Sequence, residues 1–221
     1  MHRSRFSGRS HAHGLEDRSM NRFIQNTIQV GDPDTRMVHT PGTRKVFDSQ
    51  STNIFLVGLR ASGKSTLGKL LAQRLEMRFM DTDALVVDKS GRSIADIVAS
   101  DGWDAFRGLE SEVLQEICAQ RGQVVATGGG IVLALKNQEL IQQSGTTFYL
   151  MTEISTLLGR LNAAPNPDHR PPLSGLTPEQ ELIQSNIQRS PIYMNLADHI
   201  LRSEDSLENT LRDALDKLNV R

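Results

Sequence analysis

The chain has 221 residues, a formal net charge of −1, 38% hydrophobic residues and 23% charged residues. This balance is ordinary for a globular protein and gives no argument for a nucleic-acid or anionic-membrane partner. No run of about 18 apolar residues occurs, so the sequence predicts no membrane-spanning helix. The single cysteine, Cys118, cannot form an internal disulfide, which favours a reducing compartment such as the cytoplasm. Its apolar, helical surroundings predict a core residue rather than a nucleophile.

Residues 1–50 differ in composition from the rest of the chain. They contain eight Lys and Arg, five Asp and Glu, four of the six histidines and few aliphatic residues. Because they lack sustained helical or strand periodicity, we expect a disordered N-terminal extension. Their Arg- and Ser-rich start weakly resembles an organelle transit sequence, and Met20 and Met37 leave a later start codon open. We interpret His11 and His13, which have no partner cluster, as not metal-binding.

From residue 51 to residue 221, strand-like runs alternate with helical patterns, which predicts one α/β domain. The predicted strands are Ile54–Val57, Phe79–Met80, Val124–Thr127, Thr147–Met151 and His199–Leu201. The predicted helices are 64–76, 82–90, 93–119 with a break near Gly102, 134–144, 153–163, 178–189 and 206–219. Such alternation indicates a parallel sheet covered by helices on both faces, with ligands at the carboxyl ends of the strands.

The first predicted strand runs directly into the pattern G-x-x-x-x-G-K-[ST], which spans Gly58 to Ser65. Its glycines let several backbone N–H groups point at one anion, and the following helix adds its positive N-terminal dipole. Lys64 can reach the outer phosphates of a nucleotide, and the Ser65 hydroxyl can bind Mg²⁺. The strand before the motif and the helix after it are the expected context, so the sequence predicts binding of ATP or GTP.

Asp81, Thr82 and Asp83 open the helix after the second strand, and Asp and Thr are good helix caps. A P-loop kinase also needs a carboxylate behind its Mg²⁺, usually an Asp that ends an apolar strand. The strand Val124–Thr127 ends in Thr, so we expect Asp81 to fill this role. Three glycines, Gly128–Gly130, follow this strand. They could simply form a flexible turn, but at the carboxyl end of a strand in a P-loop domain we expect them to let a small ligand contact the backbone.

A stretch from about residue 162 to residue 176 contains four prolines and shows no helical pattern. A structureless loop of this length in a compact domain is usually functional or disordered. Because Arg170 lies in it and the phosphates need screening from water, we expect a mobile lid.

Six motifs that occur in a fixed order resemble those of the shikimate kinase family. They are Gly58–Thr66, Phe79–Asp83, Trp103–Glu110, Ala126–Gly130, Arg170-Pro171 and Arg189–Tyr193. The Trp103 segment and the lid are most similar to the second isozyme of enterobacteria. The resemblance covers residues 53–218. It implies a P-loop NTPase of the nucleoside-monophosphate-kinase-like fold, with a five-stranded parallel sheet, that phosphorylates the 3-hydroxyl of shikimate with ATP and is often monomeric.

The resemblance also implies a role for individual residues. The ATP phosphates would be held by Gly63, Lys64, Ser65, Thr66, Leu67 and Gly68. Mg²⁺ would be held by Ser65 and Asp81, and Arg160 would lie near the adenine. Shikimate would be contacted by Asp83, Arg107, Gly129 and Arg189. The catalytic residues would be Lys64, Asp83 and Arg170. Arg170 would move with the lid onto the transferring phosphoryl group of ATP.

Two other functions stay open at this point. One is a different small-molecule P-loop kinase, such as a gluconate or nucleoside-monophosphate kinase. This function is not favoured by the pair of Asp81 and Asp83 together with the three glycines. The other is a shikimate-kinase-like ligand-sensing domain of a transcription regulator. Such a regulator needs an N-terminal helix-turn-helix, and residues 1–50 show no pair of amphipathic helices.

Overall fold

The computed structural model describes residues 47–163 and 176–220. Its strands are β1 (Asn53–Val57), β2 (Arg78–Asp81), β3 (Gln123–Ala126), β4 (Gly145–Met151) and β5 (His199–Arg202). Within these residues they form one parallel sheet in the order β2-β3-β1-β4-β5. Every strand overlaps a predicted one, and the prediction of a five-stranded parallel sheet is confirmed.

Helices cover both faces of this sheet. In the described residues they are α1 (Lys64–Arg74), α2 (Thr82–Ser90), α3 (Ile94–Cys118), α4 (Leu135–Ser144), α5 (Ile154–Ala163), α6 (Pro178–Leu196) and α7 (Leu207–Lys217). The predicted break in α3 is confirmed, because Gly102 has a left-handed φ of 84°. A short 3-10 helix, Ile131–Leu133, was not predicted. None of these helices combines the length and apolarity that crossing a membrane requires.

The central strand β1 separates two hydrophobic cores. Phe55 and Val57 face a core formed with α2 to α6, whereas Ile54 and Leu56 face a core formed with α1 and α7. All four side chains are fully buried. Alternation of side chains along a strand, combined with burial on both faces, explains why β1 reads as an unbroken apolar run.

Helix α6 is longer than the predicted 178–189, since it continues to Leu196. The predicted helix stops before Pro191, and an interior proline costs about 3 kcal/mol through a lost hydrogen bond and a clash. Pro191 nevertheless lies inside α6, and the turn beyond it buries Tyr193 and Leu196 at 0% and 4% exposure. Burying large apolar side chains stabilises a fold by about 1.5–3 kcal/mol each, which offsets the cost of the proline.

The packed domain begins before the predicted boundary at residue 51. Phe47 packs against the core formed with α1 and α7, and a Cβ at Gly122 would lie 3.2 Å from the Ser49 carbonyl oxygen. The remaining part of the predicted extension lies outside the described residues. Residues 164–175 of the predicted lid also lie outside them, whereas residues 162 and 163 end helix α5.

Gly145 offers a test of the register between β1 and β4, because it lies opposite Asn53. A Cβ at Gly145 would overlap the Asn53 carbonyl oxygen, a backbone atom that cannot rotate away. Gly145→Ala should therefore lower the free energy of unfolding in urea by about 1–3 kcal/mol. Gly108→Ala is the control, since a Cβ in that exposed turn of α3 meets nothing within 4 Å. It should stabilise the protein by up to about 1 kcal/mol, and a Gly145→Ala variant as stable as the wild type would contradict the register.

Candidate active site

The loop between β1 and α1 is shaped by glycines and closed over a buried lysine. Gly58 and Gly63 have φ angles of 147° and 97°, which glycine adopts at low cost. The Lys64 side chain is buried, and its Nζ donates to the carbonyl oxygens of Gly58 and Leu59 at 3.0 and 2.7 Å. An ammonium group is therefore held at the start of α1, where the helix dipole also favours an anion.

A cavity of about 520 Å³ opens beside this loop. The residues of the ATP prediction that line it are Gly63, Lys64, Ser65, Thr66, Leu67 and Arg160. The rest of the lining comes from Ala61, Ser62, Leu150, Leu161, Ser203, Asp205, Leu207 and Thr210. Gly68 does not line the cavity: a Cβ there would lie 2.6 Å from the Phe79 ring, so its small size lets α1 approach β2.

Arg160 connects two walls of this cavity. Its guanidinium donates to the Ala61 carbonyl oxygen at 3.2 Å and to both the hydroxyl and the carbonyl oxygen of Ser203. Ser203 and Asp205 follow β5, and residue type alone gave no reason to single them out. The rule that ligands bind at the carboxyl ends of parallel strands was the available signal for this segment.

Asp81 uses its two carboxylate oxygens for two different tasks. One oxygen caps α2 by accepting from the backbone N–H groups of Asp83 and Ala84 at 3.1 and 3.4 Å. The other accepts from the Ser65 hydroxyl at 2.7 Å. Asp81 therefore caps α2, as its residue type suggested, and at the same time accepts a hydrogen bond from Ser65.

The oxygen atoms of Ser65 and Asp81 suit a magnesium ion. Mg²⁺ prefers hard oxygen ligands and commonly uses one or two protein groups together with phosphate oxygens and waters. Among the described residues no group of three or more His, Cys, Asp or Glu side chains could form an all-protein metal cage. The donor set fits an ion that arrives with a nucleotide.

The segment after β2 is tied to the glycines after β3. Asp81 lies opposite Ala126 in the parallel register of the two strands. One residue further along, the fully buried Thr82 accepts from the Gly128 N–H at 2.7 Å. This contact was missed because Thr82 looked like one of three equivalent capping residues. Asp83 follows it and is half-buried in the first turn of α2.

Helices α3 and α6 reach the same glycines from other directions. A Cβ at Gly130 would collide with the Arg107 guanidinium, so this side chain lies directly against the loop. The Tyr193 hydroxyl of α6 donates to the Gly129 carbonyl oxygen at 2.5 Å. Arg189 lies one helical turn before Tyr193, is 7% exposed, and therefore shares its inward face.

The guanidinium of Arg107 is oriented by its neighbours. It forms an ion pair with the fully buried Glu110 and lies over the Trp103 ring at 5.4 Å. Arg107 and Arg189 together offer two permanently charged, planar groups that suit bidentate binding of a carboxylate. Arg170, the remaining predicted site residue, lies outside the described residues.

Cys118 takes no part in this site. It is 8% exposed and belongs to the core formed with α2 to α6, which confirms its prediction as a core residue. Burial raises the pKa of the Cys118 thiol above its usual value. The thiolate form that a nucleophile needs is therefore disfavoured.

Comparison with known proteins identifies the relatives of this chain. The family model for shikimate kinase matches residues 60–219. A shikimate kinase from Nitratidesulfovibrio vulgaris is 43% identical over 158 residues, which cover 71% of this chain and 89% of the relative. Shikimate kinase 2 from Photorhabdus laumondii is 41% identical over 155 residues, covering 70% and 88% of the two chains.

Solved structures agree with this match. Shikimate kinase from Acinetobacter baumannii in complex with shikimate has a TM-score of 0.69 at 32% identity, covering 76% of this chain and 95% of that one. A gluconokinase from Sinorhizobium meliloti has a TM-score of 0.51 at 18% identity and covers 77% and 93% of the two chains. The second likeness shows a shared fold alone.

The Thr82 contact can be tested by removing its oxygen. Thr82→Val keeps the shape of the side chain but leaves the buried Gly128 N–H without its acceptor. The free energy of unfolding should fall by about 1–3 kcal/mol, and the Gly128 amide should exchange with solvent faster. Thr82→Ser is the control, because it keeps the hydroxyl and should keep the amide protected. Unchanged stability and unchanged exchange in Thr82→Val would show that the contact does not stabilise the loop.

Proposed function

This chain belongs to the shikimate kinase family, and we propose that it transfers the γ-phosphoryl group of ATP to the 3-hydroxyl of shikimate. The products are shikimate 3-phosphate and ADP, in the pathway that leads to chorismate and the aromatic amino acids. The observation that carries this function is that the Arg107 guanidinium packs directly against the triple-glycine loop after β3, while the P-loop follows the neighbouring strand β1. A phosphate site and a carboxylate site thus lie together at the carboxyl ends of the parallel strands.

We assign the cavity beside the P-loop to ATP. Its volume of about 520 Å³ is in the range of sites for small organic ligands. The phosphate-binding residues are Gly63, Lys64, Ser65, Thr66 and Leu67, whereas Gly68, which the resemblance also implied, packs against Phe79 instead. Lys64 neutralises phosphate charge, and the planar cation of Arg160 packs near the adenine. The position of Arg160 between Ala61 and Ser203 supports this assignment.

The metal of this reaction is Mg²⁺, with Ser65 and Asp81 as its protein ligands. Their hydroxyl and carboxylate oxygens, 2.7 Å apart, support the assignment. Mg²⁺ bound there would neutralise charge on the β- and γ-phosphates of ATP.

Shikimate is assigned to the side of the site formed by the glycine loop. Arg107 and Arg189 hold its carboxylate, and the Gly129 backbone contacts its ring hydroxyls. Asp83 holds the 3-hydroxyl in line with the γ-phosphorus. The support for this placement is the bond between Thr82 and Gly128, which keeps Asp83 next to the glycine loop.

The chemical step follows from this arrangement. The 3-hydroxyl oxygen forms a bond to the γ-phosphorus while the bond from that phosphorus to the bridging oxygen of ADP breaks. Because the transition state is loose, positioning and charge stabilisation matter more than early deprotonation. Asp83 therefore orients the hydroxyl and accepts its proton late. Arg170 approaches the transferring group from the lid, a role that resemblance alone supports.

The domain organisation and setting belong to the same proposal. The kinase domain comprises residues 51–221 together with the short segment from Phe47 that packs against its core, its lid follows helix α5, and the part of residues 1–50 before Phe47 is an extension that catalysis does not need. The protein acts as a monomer, a state that the family resemblance alone supports. A single, buried cysteine supports action in the cytoplasm.

The proposed reaction is tested by a coupled ADP-release assay with Mg-ATP and one acceptor at a time. Shikimate should give turnover at about 1–100 s⁻¹, the usual range for kinases. Quinate, gluconate and AMP serve as alternative acceptors. Tight binding of shikimate without turnover would favour a ligand sensor, and turnover with another acceptor alone would exclude shikimate as the substrate.

Lys64→Ala provides the test of the phosphate assignment in that assay. The variant should lose at least about 10³-fold in kcat/KM, because a cation buried at the phosphates is removed. Lys69→Ala is the matched control: Lys69 lies on the same helix but is exposed and contacts the Phe79 ring instead. It should keep its activity. Turnover by Lys64→Ala above a tenth of wild type would refute the assignment.

Arg189→Ala tests the carboxylate clamp. The KM for shikimate should rise about 10- to 100-fold, whereas the KM for ATP should change little, because the lost charged hydrogen bonds concern the acceptor alone. Arg212→Ala on the exposed side of α7 is the control. If Arg189→Ala and Arg212→Ala have the same KM for shikimate, the clamp is assigned to the wrong residue.

A further inference from the structure

Tyr193 is fully buried at the glycine loop, and the chemistry described above gives it no role. Its hydroxyl donates to the Gly129 carbonyl oxygen, and its ring lies 5.2 Å from the Tyr149 ring. A phenylalanine would fill the same volume without a polar group to satisfy. The presence of a tyrosine at this position therefore indicates that its hydroxyl has a role.

The backbone hydrogen bonds of the glycine loop show what this hydroxyl does. The Gly128 N–H donates to Thr82, and the Gly128 carbonyl accepts from the Ile131 N–H at 3.1 Å. The Gly130 carbonyl accepts from the Leu133 N–H at 3.0 Å. Tyr193 satisfies the remaining carbonyl, that of Gly129.

Two backbone donors of this loop are left over. Within residues 47–163 and 176–220, the N–H groups of Gly129 and Gly130 donate to no protein acceptor, although both residues are buried. Buried backbone donors almost always have a partner. Because these two N–H groups have no acceptor among the described residues, they can donate to a bound substrate.

The peptide between Gly129 and Gly130 links Tyr193 to one of these donors. A trans peptide is planar, so its C=O and N–H point in opposite directions. By holding the Gly129 carbonyl, Tyr193 fixes the direction of the Gly130 N–H. That N–H belongs to the residue against which the Arg107 guanidinium packs. A peptide flanked by glycines has little conformational restraint of its own, so an external anchor matters here.

We propose that Tyr193 is a positioning residue of the shikimate site, whose hydroxyl aims the Gly130 N–H at the substrate beside Arg107. This inference rests on the proposed function. Tyr193 also ties the helix that carries Arg189 to the loop, so the two arginines and the N–H keep a fixed mutual geometry. It does not touch the reacting atoms.

The test is Tyr193→Phe, which removes one oxygen and keeps the ring. The KM for shikimate should rise roughly tenfold, because one aligned hydrogen bond to the acceptor is lost. The kcat at saturating shikimate and the KM for ATP should stay within about twofold of wild type, since neither the phosphates nor the reacting groups are disturbed.

Tyr149→Phe is the matched control. The Tyr149 hydroxyl is 2.9 Å from the Ser190 hydroxyl of α6, so its loss also weakens the anchoring of that helix without touching the loop. It should leave the KM for shikimate close to wild type. An equal rise in both variants would mean that helix anchoring, not the loop peptide, is responsible, and this would overturn the proposal.

The remaining outcomes separate this proposal from the proposed function. Wild-type protein that does not phosphorylate shikimate refutes both. Wild-type turnover with an unchanged shikimate KM in Tyr193→Phe refutes the positioning role alone. If Tyr193→Phe does not fold, the amide resonance of Gly130 in the wild type decides: a large shift on adding shikimate supports the proposal, and the absence of any shift refutes it.

Discussion

Asp81 lies opposite Ala126 because β2 and β3 run parallel, and the geometry of the site depends on this pairing. It lets Thr82 reach the Gly128 N–H while Asp81 itself reaches the Ser65 hydroxyl on α1. A shift of one residue would turn the Asp81 side chain to the opposite face of the sheet and would displace Thr82, the first residue of α2, from Gly128. The register thus places the P-loop, which suits phosphates, and the glycine loop, which suits the substrate that accepts the phosphoryl group, together at the carboxyl ends of the strands.

Helix α6 provides a second connection between these loops. Its buried polar residues recur every fourth position and share one face: Glu181, Ser185, Arg189 and Tyr193. At one end Glu181 pairs with Arg60 of the P-loop at 3.7 Å, and further along Tyr193 bonds the glycine loop. Burying polar groups costs free energy unless they have partners. Such a row on one helix is better explained by the site than by the stability of the core.

The sequence was most informative where function is carried by local patterns. A strand followed by G-x-x-x-x-G-K-[ST], and strands followed by Asp81 or by three glycines, predicted the sheet and both loops. Arg107 and Arg189 could be assigned only by resemblance, since an isolated arginine is usually exposed. Ser203 and Asp205 were missed because they are ordinary residue types that the fold brings to the P-loop from far along the chain. The continuation of α6 past Pro191 was also missed, because it depends on the burial of Tyr193 and Leu196 against distant parts of the chain.

The charges at the glycine loop match the ligand assigned to it. Arg107 and Arg189 contribute two positive charges, and the fully buried Glu110 that pairs with Arg107 contributes one negative charge. These three groups leave a net charge of about +1 beside the loop, which favours a ligand carboxylate there. Asp83, which the proposal places at the 3-hydroxyl of shikimate, adds one negative charge to the site. Removing Glu110 would leave Arg107 free to turn away from Gly130 and would add an uncompensated charge. Glu110 thus fixes the direction of the Arg107 guanidinium and lowers the net charge of the proposed carboxylate site.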